Sequence, residues 1–155
     1  MEKINIMENK IYNKMGSEVA TGFICKPKKL DPNKPIMHFK TQLFICDGER
    51  CSKTQKGNDL AGKLRDIIKE LDLHKGKNRI KISRTNCFGA CRFRQVAVTF
   101  ENTKVNGNLD NNNIWLKNIH KYDETKWKEL FLALSTNKEL SEDLYAQVPM
   151  SEIDE

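Results

Sequence analysis

Apolar positions follow two different periods along this chain, and together they predict an α/β domain. The run TQLFICD, residues 41–47, is short, apolar and rich in strand-forming side chains, which predicts a buried strand that ends at Cys46. Apolar side chains then recur at the spacing of one helical face, which predicts an amphipathic helix capped by Asn58 and stopped at Gly76. That face consists of Leu60, Leu64, Ile67, Ile68 and Leu71.

The second half of the chain adds three predicted strands and a helix. Residues 78–83 alternate isoleucine with polar side chains, residues 95–100 give the clearest strand pattern, and residues 114–119 predict its hairpin partner. Asp123 is the expected cap of a helix whose apolar face consists of Trp127, Leu130, Phe131 and Leu134. A strand–helix–strand start implies parallel pairing through a crossover. The order predicts a thioredoxin-like fold, a mixed sheet of about four strands covered by helices.

Composition divides the chain into three parts. Residues 1–38 are rich in Lys, Asn and Pro and predict an extension with little core of its own, residues 39–135 hold the predicted domain, and residues 136–155 predict an acidic, partly helical tail. The net charge of +6 is uneven, because residues 41–135 carry +7 and the tail carries −5. A basic domain favours nucleic acid or an acidic protein as partner. Since no zinc-finger, RNA-recognition or helix-turn-helix signature accompanies the charge, we do not expect nucleic acid.

The compartment is predicted from what the sequence does not contain. Its opening residues lack the apolar core of a secretory signal, and no apolar run approaches the about 18 residues of a membrane span. We therefore expect a cytoplasmic protein without a membrane partner. In the cytoplasm stable disulfides are uncommon, and close cysteines more often bind metal or carry out redox chemistry.

Four of the five cysteines fall in two close pairs. Four residues separate Cys46 from Cys51, three separate Cys87 from Cys91, and 35 residues lie between the pairs. If the strands before the two pairs are parallel, their carboxyl ends lie side by side, and both pairs meet at one edge of the sheet. The gap between the pairs has the length of a helical crossover. Cys25 is left over as a thiol without a predicted role.

Three kinds of site compete for four cysteines at this spacing. A [2Fe–2S] cluster takes four thiolates, which predicts an electron carrier. Structural zinc also takes four, usually from tighter knuckles, and would make the chain a zinc-stabilised binding module or a metal-handling accessory protein. A reactive dithiol would make it a thiol-based redox protein, although the sequence contains no C-x-x-C.

Over about residues 41–135 the sequence resembles the thioredoxin-like [2Fe–2S] ferredoxins. The resembling segments are LFICDGERC, TNCFGACRFRQVAVTF and IWLKNIHKYDETKWKEL. That family includes free-standing bacterial ferredoxins and is related to the small [2Fe–2S] subunit of NADH dehydrogenase and of NAD-linked hydrogenases. The resemblance implies one-electron transfer rather than enzymatic chemistry, and it suggests a homodimer. It also implies four cluster ligands: Cys46, Cys51, Cys87 and Cys91.

Basic side chains bracket both cysteine loops, at Arg50, Lys53, Arg84, Arg92 and Arg94. Cations near an anionic cluster ease its reduction, and they can steer an acidic partner towards it. We therefore expect a redox partner protein to dock through these residues. Raising the salt concentration should then slow electron exchange with that partner.

Overall fold

The computed structural model describes residues 3–5, 10–19, 24–25, 28–29, 33, 37–47, 59–86 and 88–152. Contacts divide the chain into two units, Met1–Met37 and His38–Glu155. The described part of the first unit has two antiparallel sheets. One contains β1 (Lys3–Asn5), β2 (Lys10–Tyr12) and β3 (Glu18–Val19), and the other contains β4 (Ile24–Cys25) and β5 (Lys28–Lys29).

The second unit is built on a mixed sheet, which has four strands within its described residues. They are β6 (Thr41–Cys46), β7 (Ile80–Thr85), β8 (Ala97–Glu101) and β9 (Trp115–Leu116), in the spatial order β7-β6-β8-β9. β6 pairs parallel with β7, and the connection between them contains the helix α1 (Leu60–Glu70). β8 pairs antiparallel with β6, and β9 forms the expected hairpin with β8. This strand order and these directions are thioredoxin-like, so the predicted fold class is confirmed.

The hydrophobic core lies on one face of this sheet, under α1 and the second helix α2 (Glu124–Ser135). Alternate strand positions such as Leu43 and Ile45 are fully buried against Leu64 of α1 and Phe131 of α2. Each such side chain contributes about 1.5–3 kcal/mol relative to leaving it in water. Both predicted helical faces are therefore core faces. No helix of the described residues is long and apolar enough to cross a membrane.

Both ends of α1 differ from the sequence prediction. Asp59 is the N-cap, with its Oδ1 accepting the Gly62 N–H at 3.0 Å, whereas Asn58 lies outside the described residues. The helix ends at Glu70, well before Gly76. It ends there because Asp72 adopts a left-handed conformation, with φ of 57°, which turns the chain out of the helix.

The chain after β8 is less regular than its apolar pattern predicted. The predicted strand over residues 114–119 keeps only Trp115 and Leu116, because Asn118 is left-handed with φ of 54° and Ile119–Lys121 form a 3₁₀ turn. Two further 3₁₀ turns, Thr103–Val105 and Leu109–Asn111, connect β8 to β9.

The acidic segment after α2 does not continue as the predicted short helix. Through Glu152 it consists of turns and extended chain, and Gln147 bridges to Leu116 of β9. Backbone groups that a helix would pair internally are taken by other elements, as where the Val148 N–H donates to the Trp115 carbonyl at 2.8 Å. Leu140 and Tyr145 are buried in the core, so this segment packs on the domain.

Candidate functional site

The candidate site begins where the two parallel strands end. Cys46 is the last residue of β6 and lies opposite Thr85, the last residue of β7. The parallel pairing that the cysteine argument required is thus present, and Cys87 follows the end of β7 by two residues. Cys51 and Cys87 themselves lie outside the described residues. Of Cys91 only the backbone is described, as the first residue of a 3₁₀ turn, Cys91–Phe93.

Cys46 lies on the sheet face opposite the helices, because Leu43 and Ile45 alternate with it along β6. Its side chain is 2% exposed. The Val96 N–H donates to the Cys46 sulfur at 3.0 Å, and the Cys46 N–H donates back to the Val96 carbonyl at 3.1 Å. An amide donor on sulfur stabilises negative charge there, as hydrogen bonds to metal-bound cysteine sulfurs do.

Side chains of the loop 88–93 pack against the cluster that contains Cys46. Phe88, Ala90 and Phe93 pack against the cluster of Cys46 and Val96, together with Trp115 of β9. The Phe88 and Trp115 rings meet edge to face, with centroids 5.3 Å apart. Gly89 turns the loop with φ of 79°, a conformation that favours glycine. The residues on either side of Cys91 are therefore packed on the same cluster as Cys46.

Gln95 braces the segment that supplies the Val96 amide. Its N–H donates to His120 Nδ1 at 3.2 Å, and its carbonyl accepts the Ile119 N–H at 2.9 Å. The Gln95 side-chain amide lies 3.4 Å from both the Cys46 carbonyl and Asp47 Oδ1. Gln95 is 1% exposed, and its buried Oε1 has no hydrogen-bond partner among the residues that the structure describes.

His120 takes part in the hydrogen bonds that hold Gln95, and it is partly buried. A histidine that stands alone in sequence gives no signal of a contact 25 residues away. Burial lowers the pKa of His120, and the charge of Lys121 lowers it further. The neutral imidazole is the form that accepts the Gln95 N–H through Nδ1.

The basic residues near the site differ in their pairing. Arg84 forms ion pairs with Asp47, at 3.7 Å, and with Asp59. The hydrogen bond from the Gly62 N–H lowers the pKa of Asp59 against the opposing effect of burial, and Arg84 lowers it further. Arg92 and Arg94 are exposed, and Arg50 and Lys53 lie outside the described residues. The charge of Arg84 is therefore matched within the chain.

Comparisons with known proteins add one distant likeness. No protein-family model and no curated protein matches the sequence. The solved structure of the thioredoxin-like [2Fe-2S] ferredoxin from Aquifex aeolicus is similar, with 15% sequence identity and a TM-score of 0.45. The likeness covers 72% of this chain and 100% of that chain. Neither value is high enough to place the chain in that family.

Of the four predicted cysteine ligands, Cys46 can be compared directly with what a metal group requires. Among the described residues, no three His, Cys, Asp or Glu side chains converge on one point. The side chains of Cys51, Cys87 and Cys91 are not among the described ones. Cys46, the one predicted ligand whose side chain is described, fits such a group because it is free, buried and supplied with an amide donor.

Proposed function

We propose that the protein is a thioredoxin-like [2Fe–2S] ferredoxin, a one-electron carrier with four cysteine ligands: Cys46, Cys51, Cys87 and Cys91. The observation that carries the proposal is the buried Cys46, whose sulfur accepts the Val96 N–H and whose cluster with Val96 is packed against side chains of the loop that contains Cys91. The spacing of the four cysteines and the parallel pairing of β6 with β7 support it.

The chain's own residues have defined roles in this proposal. The Val96 N–H stabilises negative charge on the Cys46 sulfur. Phe88, Phe93 and Trp115 exclude water from its surroundings, which strengthens that electrostatic effect. When bound, a [2Fe–2S] cluster supplies a centre that accepts and releases one electron. No side chain is assigned substrate chemistry, so we propose a carrier rather than an enzyme.

The setting of the carrier is also a proposal. We infer a cytoplasmic location, and a protein partner that exchanges electrons through contact with the basic residues near Cys91. The oligomeric state stays a prediction, with the homodimer as the first form to test by sedimentation of the loaded protein.

Anaerobic purification followed by an absorption spectrum and by iron, sulfide and zinc analysis tests the proposal. We expect a red-brown protein with comparable iron and acid-labile sulfide. Cys87→Ser should lose the colour, whereas the matched control Cys25→Ser should keep it. Zinc without sulfide would instead support a zinc-stabilised module. Disulfide reductase activity that survives iron chelation, in a protein that takes up no metal on reconstitution, would support a thiol-based redox protein.

A further inference from the structure

Two segments that are distant in sequence lie side by side next to Cys91. The Asn118 N–H donates to the Phe93 carbonyl at 2.9 Å, and the Ile119 N–H donates to the Gln95 carbonyl at the same distance. The ammonium group of Lys117 lies 5.6 Å from the centre of the Phe93 ring. Residues 92–95 and 117–121 therefore form one continuous region of the domain.

This region carries four cations, here called the basic strip: Arg92, Arg94, Lys117 and Lys121. Lys117 is partly buried and the other three are exposed. In the described part of the chain none of the four forms an ion pair, in contrast to Arg84 with its two carboxylates and Lys128 with Glu70 and Glu124. The strip thus presents uncompensated positive charge beside a predicted ligand.

We propose that the basic strip is the docking surface for the acidic face of an electron-transfer protein; this rests on the proposed function. Opposite charges raise the rate of productive encounters, and the strip would bring an acidic partner to the loop that carries Cys91. The sequence analysis included Arg84 among the docking residues. Because Arg84 is paired with Asp47 and Asp59, we leave it out of the proposed surface. Lys117 and Lys121 take its place.

The described surface favours a protein over a nucleic acid. Single-stranded nucleic acid is held by cations that alternate with exposed aromatic rings on which bases stack. Here Lys117 lies over the Phe93 ring, and Trp115 packs against Phe88. With these rings occupied, charge is the property that the strip offers to a partner.

Oxidation of the reduced, cluster-loaded protein by two small complexes measures this charge. The oxidants are hexacyanoferrate(III), a trianion, and hexaamminecobalt(III), a trication. Each takes one electron from the protein and is thereby reduced to the divalent metal complex. We expect added salt to slow the reaction with the anion and to accelerate the reaction with the cation. Arg94→Glu/Lys121→Glu should slow the anion reaction about three- to ten-fold at low salt.

The matched control is Lys104→Glu/Lys138→Glu, which reverses two exposed charges beyond the Glu101 end of β8. It should change either rate less than about two-fold, because the Coulomb interaction weakens with distance and these charges lie at the other end of the sheet from the loop that carries Cys91. Both double variants must keep the wild-type absorption spectrum. A protein without iron and sulfide overturns the proposed function. A loaded protein whose rates respond equally to the two double variants overturns the docking surface alone.

A binding measurement separates the two classes of partner without electron transfer. The probes are a fluorescein-labelled oligoglutamate peptide and a labelled single-stranded oligonucleotide, followed by fluorescence anisotropy. We expect the peptide to bind the wild-type protein at low salt and to lose at least about five-fold in affinity with Arg94→Glu/Lys121→Glu. If the oligonucleotide binds more tightly than the peptide at physiological salt, and through the same two residues, the assignment to an acidic protein is wrong.

Discussion

The amide of Val96 donates to the sulfur of Cys46 at 3.0 Å. That amide is held in place by Gln95, which is fixed in turn by His120 and Ile119. The position of the amide on the cysteine sulfur thus depends on residues that lie far from Cys46 in sequence. Such dependence is the usual relation between a ligand and the groups that orient it.

The hydrogen bond between Gln95 and His120 predicts a pH dependence of stability. Because the pKa of His120 is lowered in the folded protein, its contribution is present above the ordinary histidine value of 6.5 and is lost as pH falls through the lowered value. The urea midpoint should therefore fall between about pH 8 and about pH 5. The fall should be smaller in His120→Asn, whose Oδ1 can accept the Gln95 N–H without titrating. Equal pH profiles for the two proteins would remove His120 from this role.

A buried ion pair lies at the other end of β6. Lys40 and Glu101 are 0% and 2% exposed, and their charged groups are 3.0 Å apart. The Lys40 ammonium also donates to the Leu134 carbonyl at 2.6 Å, while the Thr41 hydroxyl donates to Glu101. These contacts join β6, β8 and the last turn of α2.

Removing one partner of this pair should be costly. Lys40→Met leaves a buried carboxylate without its counter-ion, and we expect the free energy of unfolding to fall by about 3–5 kcal/mol. Lys40→Met/Glu101→Gln should recover part of that loss, since neither remaining side chain is charged. Urea denaturation measures both, with the exposed Lys104→Met as control. A double variant no more stable than the single one would show that the buried charge is not the cause.

Single residues of this kind were the hardest to predict from sequence. Cys46 was placed correctly at a strand end, because a run of apolar residues led directly to it. The sequence around Lys40 instead favours an exposed side chain, because Lys40 ends a lysine-rich stretch and lysine is rarely buried unless it is paired. Its partner Glu101 is 61 residues away, and no local pattern connects the two.

Helices and strands with a clear period of apolar residues were predicted correctly, whereas element ends that depend on the conformation of one residue were not. The apolar faces of α1 and α2 are the buried faces, and the pairings of β6 with β7 and of β8 with β9 are the predicted ones. The carboxyl-terminal end of α1 and the length of β9 depend instead on the left-handed residues Asp72 and Asn118. Either residue type is also common in ordinary helices and loops, so its conformation is decided by tertiary contacts.

The turn after β8 offers a test of backbone packing. A side chain at Gly107 would place its Cβ 2.6 Å from backbone atoms of Asn102. Asn102 cannot move aside easily, since its N–H donates to the Lys40 carbonyl and its side chain donates to the Phe39 carbonyl. We expect Gly107→Ala to lower the free energy of unfolding by about 1–3 kcal/mol, as overpacking does.

Gly62→Ala is the matched control for that turn. Its Cβ would displace the end of the Asp59 side chain, which is flexible but caps the helix, and the greater helix preference of alanine offsets the loss at the cap. Its stability should therefore change little in the same thermal or urea denaturation experiment. If the two glycine variants lose equal stability, contact with the Asn102 backbone does not explain the effect.

At the scale of the whole molecule, the two faces of the four-stranded sheet have different roles. One face is filled by the helices and forms the core, and the other carries Cys46 and the loop 88–93. The sequence predicted that the cysteine pairs follow neighbouring strands, because order along the chain determines which strand ends meet. It did not predict which charges near them are free, because the carboxylates of Asp47 and Asp59 reach Arg84 only in the folded chain.

This separation predicts a local response when iron is removed from the loaded protein. Metal binding stabilises the residues that surround its ligands, and those residues lie on the face away from the helices. Anaerobic chelation should therefore accelerate amide hydrogen exchange at Val96 and within residues 88–93. Exchange within α1 and α2 should change little, because their protection comes from the core on the opposite face.

Mass spectrometry of peptides before and after chelation measures this difference directly. The loaded Cys25→Ser protein is the control for loss of a thiol that the proposal leaves unused, and its pattern should match the wild-type one. Accelerated exchange throughout the domain would mean that the metal supports the whole fold, as in a small zinc-stabilised module. Unchanged exchange at Val96 would mean that the bound metal is not held by Cys46, which accepts this amide's hydrogen bond.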